Sequence, residues 1–321
     1  MSPDSSDLFV PEVVDARYSD EFYRRLEVFL GGRPEDVAPA FQRFYRSWWR
    51  DHAGGRSEFF REHMLPALES ARPLRGLKVL DFGCGTGSSA IVLAEQGATV
   101  VGVEPERVSL DVAERRVTDL GFEDRIALQQ IPYLTGNSET LPFADAAFDL
   151  ATVIGVLEHA LPHERRHCVR ELARVVKPGG DVFVYDTPNR LFPYDHHTTK
   201  LWFVGWLPSR LARAYAVFRG RMDESASFER RGGVGVSRRA IDALFPASRW
   251  ALVYEKSAMD VWWEFNWAAT QTPAFVRKLP PASMAALLKS TVWPLIRASR
   301  IVNLRPSAWT ASHVLTYRKR A

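Results

Sequence analysis

An apolar run that ends in an acid and passes straight into three glycines constrains this chain more than any other feature: Val79-Leu80-Asp81-Phe82-Gly83-Cys84-Gly85-Thr86-Gly87. Glycines let the backbone turn sharply and let a ligand approach it closely. A strand entering such a turn, with a helix leaving it, is the ligand-binding unit of open α/β sheets. The dinucleotide fingerprint requires Gly-x-Gly-x-x-Gly/Ala, and counting from Gly83 puts Ser88 at its last position. Gly-x-Gly-x-Gly with Asp81 in front describes the segment better. That acid would repel a pyrophosphate and suits a ligand carrying an ammonium.

The pattern around the turn repeats strand and helix. Strands are expected at Leu77–Asp81, Ala98–Glu104, Arg125–Gln130, Phe148–Ile154 and Asp181–Asp186. Helices fall between them at Ser88–Gln96, Ser109–Leu120 and Glu164–Val176, with Gly97 and Gly121 as natural C-caps. Such alternation predicts an α/β fold, a doubly wound and mostly parallel sheet covered on both faces. Three helices are expected ahead of it, at Ser19–Phe29, Pro34–Asp51 and from Ser57 to about Pro73, the last capped by Ser57. Gly54-Gly55 should break the chain between the second and third.

After the fifth strand the rhythm changes. The expected organisation is a helical region over 1–73, a core over 74–188, a cap insertion over 189–236 and a core continuation over 237–256. A basic second insertion over 257–310 and a final strand and tail over 311–321 complete it. The insertions and the N-terminal helices are expected to cap the carboxyl ends of the strands, where open sheets bind ligands.

On these residues the chain resembles the class I S-adenosylmethionine-dependent methyltransferases, in particular their large small-molecule group, type 11. The resemblance covers roughly Leu77 to Thr187. It implies a Rossmann-like fold, S-adenosyl-L-methionine as cofactor, and a cofactor site built by Asp81, Gly83, Cys84, Gly85 and Gly87. Glu104 with Pro105 would hold the ribose hydroxyls, Asn137, Ser138 and Glu139 would follow strand three, and Gly155 would sit at the exit of strand four. Asn137 stands where the family usually has Asp; its carbonyl oxygen can still accept a hydrogen bond from an adenine amino group. Lys177-Pro178-Gly179-Gly180 matches the family's turn into strand five.

Methyl transfer from a sulfonium is an in-line displacement, so a protein chiefly supplies proximity and alignment. A base is needed only where the acceptor must lose a proton. The candidate catalytic residues are His159, after strand four, and His196 and His197, after strand five, with Asp195 placed to fix a tautomer. The alternative is that these histidines anchor the cap. No metal site is expected, because adjacent side chains in Asp195-His196-His197 rarely converge on one ion and no further ligand is evident. Trp202, Phe203, Trp206, Trp262, Trp263 and Trp267 could line an apolar acceptor pocket or simply fill the cap core.

The acceptor expected is a small organic, glycosylated or lipidic metabolite, methylated on oxygen or on carbon. Two other classes stand beside it: a nucleic-acid methyltransferase, and a cofactor-binding partner protein without turnover. Base-methylating enzymes usually carry Asn/Asp-Pro-Pro-aromatic after strand four, where this chain has Ile154-Gly155-Val156-Leu157. Nucleic acid is therefore not the expected partner.

Charge is unevenly distributed. No Asp or Glu follows Glu264, whereas nine basic residues do; the rest of the chain has 33 basic residues against 38 acidic. Ala282 to Val302 can be drawn as a basic, Trp-bearing amphipathic helix, interrupted by Pro294. It reads either as a contact with an anionic membrane or as an ordinary cap helix with arginines paired to acids elsewhere. Cys84 and Cys168 are the only cysteines, too few for a disulfide framework. Residues 1–15 hold four acids, no basic residue and no apolar run, so no secretory signal is expected. A cytoplasmic location, peripheral to the membrane if the basic stretch docks there, is the expectation; nothing in the sequence indicates an oligomeric state.

Overall fold

The computed structural model describes residues 17–36, 39–135, 139–222, 227–256 and 310–321. Its seven strands form one sheet in the order β3-β2-β1-β4-β5-β7-β6. They are β1 (Lys78–Phe82), β2 (Thr99–Glu104), β3 (Ile126–Gln130), β4 (Phe148–Ile154), β5 (Val176–Pro188), β6 (Trp250–Glu255) and β7 (Ser312–Lys319). β1 pairs in parallel with β2 and with β4, β2 pairs in parallel with β3, and β6 and β7 are antiparallel. This is the doubly wound, mostly parallel arrangement that the strand–helix alternation requires.

The chain divides into two compact units. The first comprises residues 1–153 and 171–182. Its crossover helices are α5 (Ser88–Glu95) and α6 (Arg107–Asp119), preceded by α1 (Asp20–Leu30), α2 (Pro39–Arg50), α3 (Arg56–Phe59) and α4 (Leu65–Glu69). α5 is apolar on every side and seven of its eight residues are buried, as expected of a helix covered all round. Ser19 caps α1 by accepting from the N–H of Phe22, and Gly31 closes it at φ 76°.

α1 packs Phe22, Tyr23 and Leu26 in one cluster with Val112 of α6. Two expectations change here. Gly54-Gly55 does not end a helix. Gly54, at φ 145°, kinks a helical run in which Asp51–Gly55 and Phe60–Met64 have π-type hydrogen bonding. Ser57 consequently lies inside α3 with its hydroxyl 3.5 Å from the carbonyl oxygen of Ser88, and caps nothing.

β5 starts five residues earlier than expected. Lys177–Gly180 belongs to it, with Gly179 at φ 73° as a local irregularity. Gly180 approaches the Asp149 carbonyl oxygen so closely that a Cβ would sit 2.8 Å from it. The turn predicted from Lys-Pro-Gly-Gly is thus absorbed into the strand.

The second unit comprises residues 154–170 and 183–320. It holds most of α7 (Pro162–Val175), then α8 (Ser209–Phe218) and α9 (Arg238–Leu244, capped by Ser237). Leu201, Val204, Ala212, Ala216 and Phe228 form a small core of their own within the first insertion. Trp202, Phe203 and Trp206 lie outside that core, 41%, 49% and 53% exposed, with their rings in tilted contact in series, centroids 5.9 and 4.8 Å apart. The other three pocket tryptophans, and the basic amphipathic segment, fall outside the described residues. Among the described residues no helix is long and apolar enough to cross a membrane.

Candidate functional site

In the first unit the glycine turn joins β1 to α5, with Gly83, Gly85 and Gly87 all at positive φ. Two of the nearby glycines are enforced by packing as well. A Cβ on Gly87 would lie 3.1 Å from the Cβ of Ala113. One on Gly102, in β2, would meet Cys84 Sγ at 2.9 Å, which is how the small buried thiol of Cys84 fits under the turn. Burial holds that thiol well above its usual pKa, which keeps it protonated.

Asp81 is buried beneath the turn. Its Oδ2 accepts from Ser89 Oγ at 2.6 Å and its Oδ1 from Thr152 Oγ1 at 2.8 Å. The carboxylate therefore braces β1, β4 and the start of α5 from beneath the turn. Burial raises its pKa and the two hydroxyls partly offset that.

Glu104 ends β2 beside the turn. Its Oε2 accepts the Gly85 N–H at 3.0 Å and its Oε1 the Glu106 N–H at 3.2 Å. Each oxygen keeps a lone pair, the pattern needed to receive two hydroxyls. Next to it is an open hollow of about 330 Å³, lined by Pro105, Gln130, Ile131, Pro132 and Tyr133. Gln130 Nε2 donates to the Pro105 carbonyl oxygen at 2.9 Å and the Tyr133 hydroxyl donates to Glu106, fixing two walls. Sequence reasoning named Glu104 and Pro105 but not Gln130, Ile131 and Tyr133, whose only signal was their place at the end of β3. Asn137 and Ser138 lie outside the described residues, and Glu139 is half-buried in the loop that follows.

The turn is also held from behind. Arg116 of α6 is fully buried and donates to the Thr86 carbonyl oxygen, the Tyr18 hydroxyl and the His52 carbonyl oxygen. His52 Nδ1 lies 3.2 Å from Thr86 Oγ1, and burial keeps that imidazole neutral. Neither residue was singled out from the sequence, since a lone arginine on a helix reads as solvent-exposed.

The three candidate histidines all belong to the second unit. Gly155, at φ 63°, donates its N–H to the Tyr185 carbonyl oxygen and shapes the exit from β4. His159 Nδ1–H donates to the Arg230 carbonyl oxygen at 2.8 Å. Thr198 Oγ1 donates to the Arg231 carbonyl oxygen, so it accepts from His197 Nδ1–H at 3.1 Å. Both Nε2 atoms are left as bare lone pairs. They point toward Glu158 Oε1, at 3.9 Å from His159 and 3.8 Å from His197.

Glu158 is 1% exposed and neither carboxylate oxygen has a hydrogen-bond partner. Burial pushes its pKa up to about 8, with Asp186 adding to the effect; the nearby N–H of Glu158 itself, Arg165 and the Thr187 hydroxyl, none of them in regular hydrogen-bond geometry with it, pull the other way. Burial pushes His197 down to about 3 and lowers His159.

His196 faces different partners. Ser312 Oγ donates to Asp186 Oδ1 at 3.0 Å and so accepts from His196 Nε2–H, also at 3.0 Å. Nδ1 of His196 then carries the lone pair. Asp186 adopts φ 56°, a strained conformation for a non-glycine residue, at the end of β5.

Asp195 does not orient any imidazole, contrary to expectation. Its two oxygens accept from the N–H groups of His197, Thr198 and Thr199 and from the Thr199 hydroxyl. The short side chain satisfies the turn that follows it, which is what Asp does most readily at a turn.

A family model for a methyltransferase domain matches residues 80–184. Methyltransferase GfsG of Streptomyces halstedii is 41% identical over 112 residues, covering 35% of this chain and 38% of that protein. A ubiquinone biosynthesis O-methyltransferase of Paracidovorax citrulli is 35% identical over 163 residues, 49% of this chain and 63% of its own length. One of the same description from Methylocella silvestris is 32% identical over 196 residues, 54% of this chain and 72% of its own length. The chain thus spans less than two thirds of the first two relatives. Among solved structures, an S-adenosylmethionine-dependent methyltransferase from Mesorhizobium loti is 15% identical with a TM-score of 0.45, over 79% of this chain and 96% of that one. With the glycine turn, the acid at the end of β2 and the sheet order in place, the matched core makes this chain a member of the class I S-adenosylmethionine-dependent methyltransferases.

Proposed function

We propose that this chain methylates a small organic acceptor, on oxygen or else on carbon, the acceptor being a glycosylated or lipidic metabolite. The observation that carries the reading is Glu104, bonded to the Gly85 N–H beside an open hollow walled by Pro105, Gln130 and Tyr133. Glu104 would hold the ribose hydroxyls, the glycine turn would admit the amino-acid end, and the hollow would take the base. Bound S-adenosyl-L-methionine supplies an electrophilic methyl on a sulfonium. The relatives named for ubiquinone O-methylation support an oxygen acceptor.

Transfer to a hydroxyl forms an oxygen–carbon bond as the sulfur–carbon bond breaks, and the hydroxyl proton must go to a base. We assign that proton to one of His159, His196 and His197. The hydrogen-bond chain favours His196: its Nδ1 is the bare nitrogen, and the imidazolium formed there is supported through Ser312 by Asp186.

The direct test is incubation with methyl-labelled cofactor and a metabolite extract, followed by identification of the labelled product. Label in small molecules and none in nucleic acid is the expected result; label only in RNA or DNA overturns it. The acid-free stretch after Glu264 supports a second, sequence-based proposal, contact with an anionic membrane surface. Cosedimentation with anionic vesicles that weakens as salt rises is the outcome expected.

A further inference from the structure

We propose that Glu158, His159 and His197 form a binding site for a single divalent transition-metal ion of the Zn²⁺ or Fe²⁺ kind. One ligand atom from each of the three lies within 4.8 Å of the other two. Donors ~2.0–2.2 Å from one tetrahedral zinc ion are ~3.3–3.6 Å apart. The Nε2–Oε1 separations of 3.9 and 3.8 Å are a few tenths of an ångström beyond that, and the two imidazole nitrogens are within 4.8 Å of each other, so both rings must turn inward to close the set on an ion.

Glu158 makes the case. A carboxylate 1% exposed with neither oxygen hydrogen-bonded is costly, and native proteins supply such a group with a partner. Both imidazoles are too far away for a hydrogen bond, but near enough to share a cation with it once the rings turn inward. Their tautomers are already set for ligation. Each Nδ1–H is spent on a second partner, Arg230 O for His159 and Thr198 Oγ1 for His197, and each Nε2 is bare. Metal-ligating histidines are typically oriented in this manner.

The segment that orients them is itself anchored. Arg230 forms a two-pronged ion pair with Glu164, at 2.7 and 2.6 Å. Gly232, at φ 101°, lies so close to the His197 ring that a Cβ there would sit 2.8 Å from Nδ1. Residues 230–232 therefore give one carbonyl to His159 and one to Thr198, which orients His197, and the His197 ring fits there only because residue 232 lacks a side chain.

Two imidazole nitrogens and one carboxylate oxygen form a donor set for zinc or ferrous iron with open coordination positions; magnesium and calcium prefer all-oxygen sites. An oxygen of a bound acceptor could occupy an open position and lose its proton more readily. That role rests on the methyl-transfer reading above; the metal site does not.

The experiment uses the untagged full chain, stripped of metal by a chelator and titrated with Co²⁺ while visible absorption is followed. One equivalent should develop a ligand-field band, and Zn²⁺ should displace it. Glu158→Gln and His197→Gln should each abolish the band. Gly232→Ala should weaken Co²⁺ binding 10–100-fold, as loss of a ligand's orienting neighbour does. His63→Ala, in the N-terminal helices, should bind as the unaltered protein does. Far-UV circular dichroism checks folding. Zn²⁺ should raise the melting temperature of the unaltered protein and not of His159→Gln, a variant at a half-exposed ring that serves if Glu158→Gln does not fold. Absence of the band, or a band that persists in both Glu158→Gln and His197→Gln, overturns the proposal. Neither readout needs cofactor or acceptor, so failure here is distinct from failure of the methyltransferase reading.

Discussion

The buried guanidinium of Arg116 donates through Nε to the carbonyl oxygen of Thr86 at 2.8 Å, tying α6 to the glycine turn. Its other nitrogens reach Tyr18 OH and His52 O, each at 2.5 Å, and its Cζ lies 5.0 Å from the Tyr18 ring centroid. Arg116→Met keeps much of the volume and removes every donor. It strands the two carbonyls, so urea unfolding should show a loss of about 3 kcal/mol. Calorimetry at a temperature where the variant is folded should also show weaker cofactor binding, because the Thr86 carbonyl is no longer held.

Glu104→Ala removes the acceptor of the Gly85 N–H and, under the proposed function, the acceptor of the two ribose hydroxyls. Cofactor affinity should fall by roughly 1–3 kcal/mol, with the fold intact. Glu104→Gln should lose less, since its carbonyl oxygen can still accept. Unchanged affinity in a folded Glu104→Ala protein would contradict the site, and so would tight NAD binding.

Gly87→Ala places a methyl 3.1 Å from Ala113 Cβ at a residue with φ 81°. The steric and backbone terms act together, so a cost of about 1–3 kcal/mol is expected in thermal or urea unfolding. Gly121→Ala, at φ 69° with open space around it, isolates the backbone term and should cost less.

Ser312 stands between His196 and Asp186, so it acts as a positioning residue under the proposed mechanism. Ser312→Ala should lower kcat by roughly 10²-fold with little change in cofactor affinity. Ser312→Thr retains the hydroxyl and should recover most of the rate. Equal losses in both variants, with weakened binding, would indicate a structural role alone.

The Glu164–Arg230 pair predicts an acid limb in stability. Burial alone would raise the Glu164 pKa, but the two hydrogen bonds from Arg230, with the Leu161 N–H, hold it below the usual carboxylate value. An acid with a depressed folded pKa contributes stability above its unfolded pKa and loses it as pH falls through the folded one. Urea midpoints should therefore drop between about pH 5 and pH 3, and Glu164→Gln should flatten that drop while lowering the midpoint at pH 7.

The amino-acid sequence by itself determined the core. Gly83, Gly85 and Gly87 after an acid-ended strand, and helices closed by Gly97 and Gly121, are local signals, because hydrogen bonding within helices and φ preference at glycines depend on neighbours in the chain. Those signals placed Glu104 at the end of β2 beside the glycine turn and placed every core strand within a few residues, save the early start of β5. The tertiary structure decided what local pattern cannot encode. Asp81 became a brace because Thr152 of β4 faces it, and Asp195 became a turn residue because the backbone N–H groups of His197, Thr198 and Thr199 converge on its carboxylate. Glu158 and His197 are 39 positions apart in the chain, and no periodicity links them. They meet because β4 and β5 are adjacent strands in the sheet, and strand pairing brings distant residues together where sequence spacing carries no trace of it.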